Sequence, residues 1–139
     1  MSTDCIFCKI VSGTIPSTKV YEDADCLAFL DISPIVKGHT LVIPKPHHET
    51  ISDVPVALLG KVIAAVQKVV LAQKKGIKAD GVNVAQANGS IAGQVVPHLH
   101  FHIIPRFKND PHTWGNPQGK YDSPAERDRI AASIREAIG

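Results

Sequence analysis

Aromatic residues are scarce in this chain: one Trp, two Tyr and four Phe, 5% of 139 residues. A platform that stacks single-stranded bases needs more ring surface than that. Charge of one sign is also missing. Lys and Arg number 15 against 13 Asp and Glu, a net charge of +2 scattered along the chain. That balance leaves no electrostatic footprint for nucleic acid. No apolar stretch approaches the ~18 residues of a spanning helix, so no membrane partner is expected. No apolar run of about 7–15 residues follows a basic start, so no secretory signal is expected either. There are three cysteines, an odd number, with Cys5 and Cys8 too close together to staple a fold. The expectation is a cytoplasmic protein with reduced thiols.

What is there suffices for one domain. Hydrophobic residues make up 44% of the chain, enough for a single core at this length. Lys19 to Asp31 holds two short runs around a polar turn at Glu22–Asp25, which reads as a β-hairpin. His39 to Pro44 is a β-branched, strand-like run. From Val54 to Lys75, residues Leu58, Leu59, Val62, Ile63, Val66, Val69 and Val70 recur at helical spacing. Ser52 or Asp53 suits the start of that helix, Pro55 its first turn and Gly76 its stop. Val82 to Gln86 predicts a strand, and so does Pro97 to Pro105, bounded by two prolines. Ser123-Pro124-Ala125-Glu126 reads as a capping box before a last helix with a stripe of Ile130, Ile134 and Ile138. Strands with few, separated helices predict an α+β meander, its antiparallel sheet covered by the long helix.

The chemistry is concentrated in His98-Leu99-His100-Phe101-His102. On a strand, alternation puts the three imidazoles on one face and Leu99, Phe101 and Ile103 on the other, in the core. Neutral imidazole serves as a metal ligand, a nucleophile or a general acid–base near neutral pH. Spacing alone does not separate these roles. The preceding loop, Asn88 to Gln94, carries Gly89 and Gly93, which allow close approach of backbone N–H groups to an anion. Arg106 offers a further anion contact. Cys5-x-x-Cys8 is part of a Cys2His2-type zinc pattern, with the remaining ligands to come from elsewhere. Cys26, in an apolar run, reads as a core thiol, and His112 as a solvated surface residue.

The His98–Ile104 run resembles the motif of the histidine triad (HIT) family of nucleotide hydrolases and transferases. The Cys5–Ile10 opening with Gly13 and Ile15-Pro16, the Leu27–Pro34 run and the Gly38–Lys45 run resemble other segments of that family, in its bacterial-type branch related to purine nucleoside phosphoramidases. The resemblance implies a five-stranded antiparallel sheet, a HIT domain over residues 1–107 and a C-terminal extension over 108–139. It implies a homodimer with joined sheets. His100 would be the nucleophile, forming a covalent nucleotidyl-histidine, with His39 and His102 supporting it. Asp31 and Ile32 would hold ribose and base, and Gly93 and Gln94 with Asn88 the phosphate loop. Zinc would be held by Cys5, Cys8, His47 and His98, with His48 the neighbouring rival of His47. The chemical step itself would need no metal.

The implied reaction is cleavage of purine nucleoside 5′-phosphoramidates at the α-phosphate. Ala87 and Val95 stand where relatives often carry an amide and a hydroxyl that serve the leaving group. A dinucleoside polyphosphate hydrolase therefore stays open as an alternative, as does a nucleotide-binding zinc protein with little turnover. Trp114 is a candidate for reaching a partner's site, against the plainer reading of a packed loop residue.

Overall fold

Asp23 closes the first hairpin. Its Oδ1 accepts the backbone N–H groups of Asp25 and Cys26, both at 2.8 Å, an Asx-type turn that reverses the chain within three residues. The computed structural model describes residues 4–112 and 119–138, so Trp114 lies outside the described residues. The elements are α1 (Ile6–Val11), β1 (Lys19–Glu22), β2 (Cys26–Leu30), β3 (Thr40–Pro44), α2 (Val56–Gly76), β4 (Gly81–Ala85), β5 (Phe101–Arg106) and α3 (Pro124–Ala137). A 3-10 turn at Ser90–Ala92 precedes β5.

All four strand pairings are antiparallel. The expected α+β fold with a five-stranded sheet and a long covering helix is the fold observed. One detail departs from a simple meander, because the strand order is β1-β2-β3-β5-β4. After β3 the chain crosses through α2 to the outer edge as β4, then β5 returns between β3 and β4. The last strand also begins later than expected. His98 and His100 precede β5, and Pro105 lies inside it, paired with Val82. β3 pairs with β5 only from Phe101 to Ile103. Pro105 thus sits beyond the end of β3, where its missing N–H has no ladder partner to lose on that side.

α2 buries Val62, Ala65, Val66, Val69, Ala72 and Gln73 against the sheet. Ile63, expected on that face, is exposed instead, because it lies to one side of the stripe that runs through Val62, Val66, Val69 and Gln73. The helix is long and apolar enough to cross a membrane by length and composition, contrary to the expectation that no such stretch exists. Its buried face is the lid of the core shared with β2 and β5. Asp53 does not cap it. That carboxylate accepts the Glu49 and Thr50 N–H groups, closing the preceding turn, and Pro55 stands at the N-cap.

Gly76 ends α2 for a reason of space. A Cβ there would overlap the Ser133 carbonyl of α3, so the glycine lets the two helices touch. The left-handed residue after the helix is Lys78, at φ 59°. α3 starts as read from the sequence: the Ser123 hydroxyl accepts the Glu126 N–H, with Pro124 in the first turn. The Glu126 carboxylate accepts from Asp122 N and pairs with Lys37. Ala131 and Ile134 are fully buried in the core that α2 shares with the sheet.

Candidate functional site

Two clusters of imidazoles meet at the segment entering β5. Leu99, Phe101 and Ile103 are buried, as alternation requires. The imidazoles follow one another, with Phe7 edge-on to both His98 and His100 and the His100 and His102 rings 4.9 Å apart between centroids. His98 joins a thiol cluster, while His100 and His102 join His39.

The thiol cluster is built on α1. Cys5 stands at its N-cap, where its Sγ accepts the Cys8 N–H at 3.3 Å. His98 donates Nε2–H to the Pro44 carbonyl at 2.9 Å. That bond fixes the tautomer and leaves the Nδ1 lone pair facing Cys5 Sγ at 3.3 Å and Cys8 Sγ at 3.6 Å. His47 Nδ1 lies 3.3 Å from Cys8 Sγ. The four donor atoms lie within 4.8 Å of one another. Tetrahedral zinc, with bonds of about 2.3 Å to sulfur and about 2.0 Å to nitrogen, sets sulfur and nitrogen about 3.5 Å apart. The donor set therefore fits that ion in type, number and spacing. His48 is outside the set; its carbonyl accepts the Leu99 N–H. Burial, together with neighbouring Cys5, pushes the Cys8 thiol up to about 11. A bound dication reverses that balance and favours the thiolate.

The second cluster is a directed chain of hydrogen bonds. The Ile35 N–H donates to His39 Nδ1 at 3.1 Å. His39 therefore carries its proton on Nε2 and donates it to His102 Nδ1 at 3.0 Å. His102 in turn carries its proton on Nε2. Burial lowers His39 to about 3, helped by His102 and His100, and lowers His102 to about 4, helped by His100. Both rings are neutral at pH 7. Asp31 Oδ2 stands 3.7 Å from His39 Nε2, too long for a hydrogen bond, and the neutral ring makes no ion pair with it. Burial raises the Asp31 carboxyl, against the Ser33 N–H it accepts and the nearby His100. Asp31, His39 and His102 lie close enough to suggest a metal, but His39 has no lone pair to offer. Its two nitrogens are committed to accepting from Ile35 and donating to His102.

His100 sits between the clusters. Its Nδ1–H donates to the His98 carbonyl at 2.7 Å. The lone pair is thereby placed on Nε2. Burial lowers its pKa, partly offset by that hydrogen bond and by Asp31. Phe7, between the two cysteines on α1, packs edge-on to the His100 ring at 5.2 Å between centroids. Sequence reasoning did not assign Phe7 this place; its position inside the Cys5–Cys8 turn was the available signal.

The loop before β5 is braced from within. Gly89 and Gly93 take φ 91° and 97°, in the region that favours glycine. Gln94 is buried; its Oε1 accepts the Gly89 N–H at 2.7 Å and its Nε2 donates to the Glu49 and Val96 carbonyls. Asn88 exchanges hydrogen bonds with Gln86 and accepts the Ile51 N–H. The N–H groups of Gly93 and Gln94 bond back to Ser90 and Gly89. Val95 and, next to Asp31, Ile32 are each 88% exposed.

Three expectations outside the main clusters are decided by the geometry. Arg106 is not an anion contact: its guanidinium is taken up by Asp110, the Asn83 side chain and the His112 carbonyl. Asp110 is held well below the usual carboxylate range by that guanidinium. His112 is half-buried rather than solvated, with its Nδ1 shielded and without a partner among the described residues. Cys26 is a fully buried core thiol, as expected, pushed up to about 11 by burial.

A family model described as the HIT domain matches residues 12–109. The chain belongs to the histidine triad family. An uncharacterised HIT-like protein of Methanocaldococcus jannaschii is 53% identical over 106 residues, covering 76% of this chain and 81% of its own. An adenosine 5′-monophosphoramidase of Candida albicans is 44% identical over 106 residues, covering 73% and 70%. The crystal structure of a zinc-bound histidine triad family protein from Mycobacterium smegmatis matches with a TM-score of 0.89 at 36% identity, over 99% of this chain and 95% of that one. Membership in the HIT family, with a hydrolase-named relative, supports a nucleotide hydrolase working on a small substrate.

Proposed function

We propose that this chain hydrolyses purine nucleoside 5′-phosphoramidates at the α-phosphorus, with His100 as the nucleophile. The observation that carries the reading is the 2.7 Å hydrogen bond from His100 Nδ1–H to the His98 carbonyl. It fixes the tautomer that leaves Nε2 free to attack. In the first step a bond forms between Nε2 and phosphorus and the phosphorus–nitrogen bond breaks. The departing amine takes a proton borrowed from the site. Water then attacks phosphorus, the histidine–phosphorus bond breaks, and nucleoside monophosphate leaves as the water's proton restores the site. His102, carrying its proton on Nε2, donates toward the phosphate oxygens, and His39 holds it in that tautomer. Asp31 and Ile32 hold the nucleoside, while Gly93, Gln94 and Asn88 shape the loop that faces the phosphate.

Cys5, Cys8, His47 and His98 hold zinc in this reading. The ion supplies a structural tie between α1 and the segments leaving β3 and entering β5, and bond formation is left to the His100 lone pair. Residues 1–107 carry the site, and 108–139 extend it with a helix packed on α2. The protein acts in the cytoplasm as a homodimer. Support for the pairing comes from the outer edge of β4, which has no strand beyond it among the described residues, while β1 lies against α3, whose Arg135 reaches the Lys19 carbonyl. Exposed Val84 on β4 and Ile63 and Leu71 on α2 supply apolar surface.

Side-by-side kinetics on an adenosine 5′-phosphoramidate and a diadenosine polyphosphate test the reading. Preference for the phosphoramidate is expected, with a nucleotidyl adduct on His100 trapped by mass spectrometry. Preference for the polyphosphate moves the substrate class, and absence of turnover on both refutes the hydrolase.

A further inference from the structure

Among the buried residues of α2, Gln73 alone is polar. It is fully buried. Its Nε2 lies 3.1 Å from the Gly38 carbonyl oxygen, 3.0 Å from the Ile103 carbonyl oxygen and 3.4 Å from Thr40 Oγ1. Flipping the amide would turn an oxygen onto two carbonyls, so its orientation is fixed by its surroundings. The price is Oε1, buried without a hydrogen-bond partner among the described residues. A methionine would fill the same space with no such loss. Helix stability therefore gives no reason for an amide here.

The reason lies in which carbonyls it holds. Gly38 precedes His39, and Ile103 follows His102. These two stretches face each other in the sheet, with Thr40 paired to Ile103 and Leu41 to His102. Gly38 is otherwise fixed as well. Its N–H donates to the Tyr121 hydroxyl at 3.0 Å, its carbonyl also accepts the Thr40 hydroxyl at 2.8 Å, and its φ is 100°. On the other side of the sheet the His39 and His102 rings meet at 3.0 Å. One amide on α2 thus ties the peptide unit that enters His39 to the carbonyl of Ile103, the residue after His102.

We propose that Gln73 is a positioning residue for the His39–His102 pair, setting the distance across which His39 hands its Nε2–H to His102. A shift of the two stretches by a fraction of an ångström lengthens that bond and frees His102 to exchange tautomers. The effect on turnover rests on the hydrolase reading above; the effect on the rings does not.

Gln73→Met keeps the volume and removes both donors. In ¹⁵N NMR of the zinc-loaded full chain, wild-type His102 is a single Nε2–H tautomer, and the variant shows both tautomers. The kcat on an adenosine 5′-phosphoramidate falls tenfold or more with KM within twofold, while the thermal midpoint stays level or rises. An unchanged His102 signal in the folded variant overturns the proposal, whatever kcat does, and so does an unchanged kcat beside an active wild type. If the wild type does not turn over, the hydrolase reading fails and the tautomer comparison alone decides for Gln73. If the variant does not fold, couplings through the hydrogen bonds in the wild type decide. Coupling from the Gln73 amide to both the Gly38 and Ile103 carbonyl carbons supports the clamp, and coupling to one or neither overturns it.

Discussion

His98 faces two ways: its main-chain carbonyl accepts the Nδ1–H of His100 at 2.7 Å, while its ring turns Nδ1 toward the sulfurs of Cys5 and Cys8. The proposed zinc site and the proposed nucleophile thus share one residue. Releasing that ring from the thiols loosens the carbonyl that selects the His100 tautomer. Purified protein is expected to hold about one zinc per chain, and Cys5→Ser to lose it, since each ligand of a tetrahedral site is needed to close it. Turnover in the metal-depleted variant falls by about tenfold or more, as losses of supporting interactions around metal sites commonly do. Metal analysis beside kinetics checks this; a metal-free wild type with full activity refutes it.

Replacing the nucleophile separates chemistry from binding. His100→Gly removes the ring, and turnover drops by at least about a thousandfold, as for other covalent catalysts deprived of their nucleophile. Affinity for nucleoside monophosphate stays within a few-fold, because the nucleoside contacts assigned to Asp31 and Ile32 are untouched. Calorimetric titration of the monophosphate, run beside the assay, checks both halves.

Much of this was legible in the sequence because it is local. The β1–β2 turn, the period of α2 and the Ser123 cap are each fixed by neighbours a few residues apart. Cys5, Cys8 and the His98–His102 run were visible as types at short spacing, and family resemblance supplied the distant His39 and His47. What was not legible depends on contacts far apart in the chain. The placement of β4 outside β5 is a choice among antiparallel orders that no single segment states. Gln73 reads, with Lys61, Gln67 and Lys68, as a polar residue off the apolar face of the helix; it is fully buried instead, over the carbonyls of Gly38 and Ile103. Arg106 reads as a free cation until the 106–112 turn brings Asp110 back to it.

Acid should loosen the fold through the histidine relay. His39 is lowered from 6.5 to about 3 and His102 from 6.5 to about 4, burial being the larger cause for each. Below pH 6.5 the unfolded chain takes up protons that the folded rings refuse. The stability these rings contribute is therefore complete above pH 6.5 and is lost as pH falls toward 4 and then 3. At pH 5 linkage makes that loss about 2 kcal/mol for each ring. Urea unfolding at pH 7.5 and pH 5 measures it. A His39→Gln, His102→Gln variant is expected to show a flatter difference between the two pH values, and an equal slope in both proteins counts against neutral rings.

Gly76→Ala tests the helix packing by its sign. At an ordinary interior position of a helix, alanine in place of glycine adds about 0.5–1 kcal/mol of stability. Here the added methyl would strike the Ser133 carbonyl and approach the Ala137 side chain. Backbone on the neighbouring helix cannot swing aside as a long side chain would, so α3 must slide off α2 or α2 must unwind its last turn. The expected outcome is a loss of about 1–3 kcal/mol, typical of overpacking a well-filled contact. Chemical denaturation of the two proteins reads it directly. Gly60, where a Cβ meets nothing within 4 Å, is the internal control: Gly60→Ala gains stability, and a gain at Gly76 as well would mean that the two helices do not touch there.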